Sequence, residues 1–200
     1  MLGARQIANR EPARYATGSD FCRIFKENMN GLYLLSFLLT GNHVTAEKCF
    51  VQGLDDSGKG NRVFREWARS WARRTIIQNA IHLIRPRPTD NGKASFVAQD
   101  HSVHPSTEPA EIAAIIELPA FERFVFVMSV LERYTDRECS LLLDCSPAAV
   151  AAGRIRALQQ IGRSVEHRRL LDLGAAVEPL GDTCEPARRL EAIAPLAASA

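Results

Sequence analysis

The chain has 200 residues, of which 46% are hydrophobic and 24% charged, and its formal net charge is +2. This composition argues against a disordered chain and leaves room for one large domain or two small ones, each with a buried core. The longest apolar stretch, around residues 32–39, is much shorter than a membrane span, and residues 1–14 lack the apolar core of a secretory signal. We therefore expect a cytoplasmic protein.

Charge is distributed unevenly along the chain. Residues 62–87 contain seven arginines against one acid, residues 108–144 contain eight acids against three arginines, and residues 147–169 contain five arginines against one acid. Phosphate groups would be attracted to the two basic segments. The five cysteines show no CxxC spacing, so we expect reduced core residues, no disulfide framework, no metal site and no cofactor.

The first half of the chain predicts a helical domain at residues 19–85. Residues 1–18 before it are polar and irregular, and we expect a disordered tail there. Ser19 or Asp20 is expected to cap the first helix, and a loop of turn formers is expected at residues 55–61. Apolar residues at helical spacing predict three helices in this half, at residues 21–40, 44–54 and 63–84.

Two stripes of side chains lie on the third predicted helix. Arg65, Arg69 and Arg73 are four residues apart and would share one face, next to a stripe formed by Trp67 and Trp71. One interpretation is a basic rail for a nucleic-acid backbone, with aromatic rings that stack on unpaired bases. The other interpretation is a solvated arginine face above two core tryptophans.

Residues 86–106 contain three prolines and little periodicity, which predicts a linker between two helical domains. A second domain of four helices is expected at residues 107–170, followed by a weakly ordered tail at residues 171–200. Ser106 or Thr107 is expected to cap its first helix. The four helices are expected at residues 108–118, at residues 120–132, from residue 136 and from residue 147.

The last two of these helices predict a helix-turn-helix. Thr135 and Glu138 match the pattern of a capping box, so a helix begins at about Asp136. Ser146 is a second cap, directly before Pro147 at the first helical position. A short helix joined by about three residues to a long one is the unit that places its second helix in the DNA major groove. The same caps also suit an ordinary corner between two helices.

Taken in order, these segments resemble bacterial RNA polymerase sigma factors of the sigma-70 family, in particular the small extracytoplasmic-function (ECF) type. The resemblance covers roughly residues 20–85 and 108–165. It implies an all-α fold of two small helical domains, similar to sigma regions 2 and 4, joined by a flexible linker. Four segments carry the resemblance: Leu39-Thr40-Gly41 before Ala46-Glu47, Trp71 with Arg74 and Asn79, Leu118-Pro119 through Phe126, and Tyr134 through Ala157.

The resemblance implies a protein without enzymatic activity that binds core RNA polymerase and directs promoter recognition and transcription initiation. Promoter DNA and an anti-sigma factor are the further partners that it implies. The rail and the family motifs together give the expected DNA-binding residues of the first domain: Arg62, Arg65, Trp67, Arg69, Trp71, Arg73, Arg74 and Asn79. Those expected in the helix-turn-helix are Ser146, Ala149, Arg154, Arg156 and Arg163, and those expected to bind polymerase are Glu47, Lys48, Val51 and Gln52.

Two segments depart from the family pattern. The family's recognition helix has Val-Lys-Ser-Arg where this chain has Val150-Ala151-Ala152-Gly153, and Gly153 would cost the helix about 1 kcal/mol relative to alanine. After Ala46-Glu47, the family's Asp-x-x-Gln-Glu is replaced by Lys48-Cys49-Phe50-Val51. A second function therefore stays open, namely a degenerate sigma-like transcriptional regulator that binds polymerase or another protein without opening promoters. No phosphate loop, metal-ligand pair or nucleophile elbow supports an enzyme.

Overall fold

The computed structural model describes residues 14–59, 62–88 and 109–175. In these ranges the protein is all-α, as predicted, and none of its helices is long and apolar enough to cross a membrane. A 3-10 turn, Arg65–Trp67, precedes the fourth helix, and a π-helical turn, Val127–Leu131, follows the sixth. The helices are α1 (Gly18–Glu27), α2 (Met29–Thr40), α3 (His43–Gly58), α4 (Ala68–Ile84), α5 (Ala110–Ile116), α6 (Ala120–Phe126), α7 (Asp136–Leu143) and α8 (Pro147–Ala175).

The single helix predicted over residues 21–40 is in fact two helices. The chain leaves helical geometry at Asn28, which has φ −113° and ψ 24° and donates its side-chain amide to the carbonyl of Ile24 at 2.9 Å. Asparagine breaks helices readily because its side chain competes for nearby backbone groups. The cap of α1 is Thr17 rather than either predicted residue, because Asp20 completes a capping box as the third residue of the helix.

Two further boundaries in the first half differ from the prediction. Helix α3 continues through most of the predicted loop to Gly58, and the hydroxyl of Ser57 donates to the carbonyl of Gly53 at 2.7 Å. Helix α4 begins five residues later than predicted, because Phe64 is extended, with φ −61° and ψ 141°, and forms an isolated bridge with Tyr15. As a result, Arg65 lies before α4 and does not continue its face.

In the second half, α7 and α8 begin at the residues that the caps predict, and α8 continues beyond the predicted domain boundary to Ala175. The helix predicted over residues 120–132 changes to a π-helical turn after Phe126, where the amide of Glu132 donates to the carbonyl of Val127 at 2.9 Å. The predicted caps of α5, most of the linker and both predicted tails, apart from the ends that join the helices, lie outside the described residues.

The two halves pack against each other in this structure. Helix α3 packs on α2 and α4 in the first half, and α8 packs on α5, α6 and α7 in the second. Helix α2 also contacts α5 and α6, so one continuous core includes Leu39 and Ile76 from the first half and Phe124 and Val150 from the second. That the halves fold as two separate domains stays a prediction.

Two glycines allow neighbouring helices to approach closely. A Cβ atom at Gly153 in α8 would lie 2.8 Å from a ring carbon of Phe121 in α6, and one at Gly53 in α3 would lie 2.6 Å from the Cδ1 of Ile76 in α4. Position 153 is therefore part of the core of the second half. The weak helix propensity of Gly153 is offset by helix packing that no larger residue would permit.

Candidate nucleic-acid interface

Arg65, the first residue of the predicted rail, is bound to a buried carboxylate. Its Nε and Nη2 donate to the two oxygens of Asp20 at 3.2 to 3.3 Å, and Arg23 donates to the same carboxylate at 2.9 Å. Hydrogen bonds from the backbone and the hydroxyl of Thr17, and then from Arg65, lower the pKa of Asp20 to about 2. Asp20 thus completes the capping box of α1 and also holds the 3-10 turn against that helix.

The other two rail arginines, Arg69 and Arg73 on α4, are also paired. Arg69 lies 3.5 Å from Glu27, and both side chains are exposed, so this pair adds little stability. Arg73 donates through Nε and Nη2 to both oxygens of Glu132, with Nε at 2.6 Å, and the Glu132 side chain is only 8% exposed. This hydrogen bond raises the pKa of Arg73. The predicted rail is therefore matched by carboxylates along its length.

Two other predicted residues, Arg62 and Arg74, form no ion pair with the described residues, and both line one cleft of about 830 Å³. The cleft lies between α4 with its preceding turn and the segment that joins the π-helical turn to α7. Its second side carries the carboxylates of Glu132 and Glu138. Its aromatic side chains are Phe64, Trp67, Trp71 and Tyr134.

The two tryptophans of the cleft differ in what they offer a ligand. Trp67 is 60% exposed and packs edge-to-face on Phe64, with ring centroids 5.3 Å apart, so much of its ring faces solvent. Trp71 is partly buried, and its Nε1 has no hydrogen-bond partner within the part of the chain that the structure describes. A buried donor without a partner is costly, and because this atom is buried it is not exposed to a ligand in the cleft.

Electrostatics in the cleft favour an anionic or aromatic ligand on the α4 side. Burial raises the pKa of Tyr134, and the nearby charge of Arg74 opposes that rise. Tyr134 is therefore neutral at physiological pH. Ring faces and two arginines are groups of the kind that hold a nucleotide by base stacking and phosphate contact.

Asn79, the last predicted DNA-binding residue of the first half, holds two helices together. Its side-chain amide donates to the carboxylate of Asp56 in α3 at 3.1 Å and to the carbonyl of Thr75 in α4 at 3.0 Å. The structure thus places Asn79 away from the cleft, and a role for it in DNA binding stays a prediction.

Both predicted caps of the helix-turn-helix are present. The hydroxyl of Thr135 accepts from the amide of Glu138 at 3.2 Å, and the Glu138 carboxylate accepts from the amide of Thr135 at 2.8 Å. The hydroxyl of Ser146 accepts from the amide of Ala149 at 3.1 Å. Ser146 and Ala149, both expected to contact DNA, therefore form the N-terminal cap of α8.

The arginines of α8 fall into two groups. Arg154 forms a two-point ion pair with Asp136 of α7, and the Nε of Arg156 donates to the buried carboxylate of Glu122 in α6 at 2.9 Å. These pairs attach α8 to its neighbours, and a DNA-binding role for both arginines stays a prediction. Arg163 is exposed and forms no ion pair with the described residues.

The exposed face of the first turns of α8 is apolar. Ala148 and Ala152 are exposed, and Ile155, one turn further along, is 56% exposed. Such side chains can contact thymine methyl groups, but they give no hydrogen bonds to base edges and none to phosphates. The face that a helix-turn-helix normally presents to the major groove therefore offers little direct readout here.

The four residues expected to bind polymerase come together on one exposed face of α3. Glu47, Lys48, Val51 and Gln52 are all exposed, while the opposite side of the helix is buried against α2 and α4. Val44, also exposed, extends the face by one turn. Single exposed apolar side chains are common on protein surfaces, so polymerase binding by this face stays a prediction.

Arg123 of α6, for which the sequence predicts no site role, is the most deeply buried charged residue that the structure describes. Its side chain is 1% exposed, and burial lowers its pKa to about 10. Its guanidinium donates to the carbonyls of Leu39 at 3.2 Å and Thr40 at 3.3 Å in the first half. The sequence signals are two charges inside an apolar run and the position of Arg123 in the segment from Leu118 to Phe126 that resembles the family, and neither reveals the partners.

The same guanidinium donates to the carbonyls of Ile116 at 3.0 Å and Leu118 at 3.3 Å in its own half. Arg123 therefore satisfies carbonyls at the ends of two helices, α2 and α5, where unpaired carbonyls carry partial negative charge. Gly41, with φ 70°, allows this approach, because a Cβ atom there would lie 3.0 Å from Nη1 of Arg123.

The cysteines of the described residues differ in exposure. Cys49 and Cys139 are buried, and burial raises the pKa of each thiol to about 11. Cys22 is exposed, so the expectation that the cysteines are core residues is wrong for this one. No group of histidine, cysteine, aspartate and glutamate residues that could hold a metal ion occurs among the described residues.

No protein-family model matches the chain, and no curated protein matches it significantly. The likeness to sigma factors therefore rests on the residues and motifs quoted above, and we treat it as a proposal.

Proposed function

We propose that this protein is a cytoplasmic sigma-70-like initiation factor that binds core RNA polymerase through the exposed face of α3 and holds unpaired promoter DNA in the cleft beside α4. The observation that carries the proposal is the position of Arg62, Arg74 and Trp67. These two arginines have no ion-pair partner among the described residues, and they share the cleft with an exposed indole ring. Trp71 and Arg74 also belong to the segment that resembles the promoter-melting helix of sigma factors.

The physical basis is that of single-stranded nucleic-acid binding. A base that stacks on an aromatic side chain gains about 1–3 kcal/mol, and every base offers a ring face. Trp67 would provide the stacking surface, and the arginines would neutralise the flanking phosphates. Because the exposed face of α8 is apolar, we assign most of the DNA contacts to the first half of the chain.

The test is binding of fluorescein-labelled single-stranded promoter DNA by the full chain assembled with core polymerase. We expect Trp67→Ala to weaken binding about tenfold, as loss of one stacked base predicts, and Arg74→Ala to weaken it and reduce its salt dependence. Lys26→Ala, which removes an exposed positive charge on α1, is the matched control and should change little. Equal effects of Lys26→Ala and Arg74→Ala would show that only net charge matters and would contradict the proposed site.

A second function, the degenerate regulator that binds polymerase without opening promoters, is favoured by α8. Its Arg154 and Arg156 are engaged by carboxylates, and its exposed first turns are apolar. Run-off transcription on genomic fragments distinguishes the two functions. Retention of the chain by core polymerase, without any transcript, would favour the regulator.

A further inference from the structure

We infer that the packed arrangement of the two halves is a closed state that holds DNA out of the cleft, and that it is kept closed by a clasp. The clasp consists of the hydrogen bonds from Arg123 to Leu39 and Thr40 together with the ion pair of Arg73 with Glu132. The inference rests on the proposed function, because it concerns regulation of the same DNA-binding cleft.

The Arg123 part of the clasp is suited to opening and closing. Its guanidinium crosses from α6 to the end of α2, where it meets carbonyl oxygens and no carboxylate of the residues that the structure describes. Burying this charge costs hydration that the neutral carbonyls only partly replace. When the halves separate, Arg123 regains water while its bonds to Ile116 and Leu118 in its own half can persist. The contact is therefore specific in geometry but modest in net stability.

The Arg73 part of the clasp acts on the proposed DNA surface itself. Arg73 lies on α4, next in sequence to Arg74 of the cleft, and both of its donating nitrogens are taken by Glu132 from the second half. An arginine held in a two-point pair by a nearly buried carboxylate is not free to bind phosphate. Closure thus removes one arginine from the surface that would meet DNA.

The second half also forms the opposite side of the cleft. Glu132 and Glu138 place two carboxylates there, facing the side that carries Arg62 and Arg74. Phosphates entering the closed cleft would approach the carboxylate of Glu138 and be repelled, whereas the charge of Glu132 is balanced by Arg73. Separation of the halves would remove both carboxylates and release Arg73, leaving the arginines and tryptophans of the first half open to a DNA strand.

Two substitutions in the full chain test the inference. Glu132→Gln weakens the ion pair between the halves. Glu27→Gln is the matched control, because it also removes one negative charge and releases an arginine of α4, Arg69, but the pair that it breaks lies within the first half. Arg123→Met breaks the other part of the clasp while removing a positive charge. The readouts are affinity for a short fluorescein-labelled single-stranded DNA and the radius of gyration from small-angle X-ray scattering.

We expect Glu132→Gln and Arg123→Met to enlarge the radius of gyration and to raise DNA affinity. The gain would be about tenfold if about nine-tenths of the wild-type molecules are closed. Glu27→Gln should leave the radius unchanged and affect affinity much less. A rise for Arg123→Met would be especially informative, because loss of a positive charge alone lowers affinity for DNA.

Equal gains for Glu132→Gln and Glu27→Gln at constant radius would overturn the clasp, since charge alone would explain them. If circular dichroism shows that Arg123→Met is unfolded, the comparison of Glu132→Gln with Glu27→Gln decides alone. Expansion of the variants without DNA binding by any of them would overturn the proposed function, and with it the regulatory role of closure. Tighter DNA binding without expansion would overturn only the clasp.

Discussion

Gly153 of α8 lies directly against the ring of Phe121 in α6, so closely that an added Cβ would lie 2.8 Å from the ring. This relationship changes the meaning of the family departure at position 153. The arginine expected there in a sigma-like recognition helix cannot be accommodated, because the position is in the core of the second half.

We predict that Gly153→Ala destabilises the protein by about 1–3 kcal/mol, because overpacking outweighs the gain in helix propensity. Gly162→Ala is the control on the same helix, since nothing lies within 4 Å of a Cβ atom there, and it should stabilise by up to about 1 kcal/mol. Urea unfolding followed by circular dichroism measures both. Stabilisation by Gly153→Ala would show that α8 can move away from Phe121 at little cost.

The caps of the helix-turn-helix provide a second prediction. Thr135→Ala and Ser146→Ala should each lower the free energy of unfolding by about 1 kcal/mol, because each leaves a helix amide without its acceptor. Thr135→Ser keeps the hydroxyl and should cost much less. An equal loss for Thr135→Ser and Thr135→Ala would attribute the effect to the methyl group of threonine rather than to the cap.

The lowered pKa of Asp20 predicts that the stability of the protein depends on pH in the acid range. Its pKa in the folded protein is about 2, against an ordinary value of 3.8, so the unfolded chain binds the proton more readily. The stabilisation is present above about pH 4 and is lost as the pH falls toward 2. Asp20→Asn should lower the free energy of unfolding at neutral pH. It should also make the urea midpoint depend less on pH between pH 4 and pH 2. An unchanged slope in that window would show that other carboxylates cause the acid sensitivity.

The cysteines should differ sharply in reactivity. Cys22 is exposed, whereas Cys49 and Cys139 are buried with thiol pKa values raised to about 11. At neutral pH iodoacetamide should therefore modify Cys22 first and spare the two buried thiols until urea unfolds the chain. Peptide mapping by mass spectrometry measures the three sites separately. Early modification of Cys139 in the native protein would indicate that α7 opens on its own.

The features that sequence patterns predicted well have partners a few residues apart. The capping box of α7 joins Thr135 to Glu138, and the cap of α8 joins Ser146 to Ala149, so three-residue patterns were enough to predict where both helices begin. The break at Asn28 is also local, and a stricter use of helix propensity would have identified it.

Short sequence patterns could not show whether the arginines of the predicted rail are paired, because their carboxylate partners are distant in sequence. Arg65 meets Asp20 across 45 residues, and Arg73 meets Glu132 across 59. Arginines spaced four apart predict a shared face, but whether that face is basic depends on carboxylates that tertiary folding brings to it. The cleft was missed for the same reason, since Tyr134 and Trp71 become neighbours only when the halves pack.

The contact of Arg123 with the end of α2 also limits how the chain can vary in length. Its guanidinium reaches the carbonyl of Leu39 across 84 residues of sequence, and it needs that carbonyl to point in one direction. One residue inserted into α2 would turn the end of the helix by about 100°, and the carbonyls would face elsewhere although the helix itself would remain intact. The number of residues in α2 is therefore fixed by a side chain in the other half, and a change in helix length there would alter how the two halves meet.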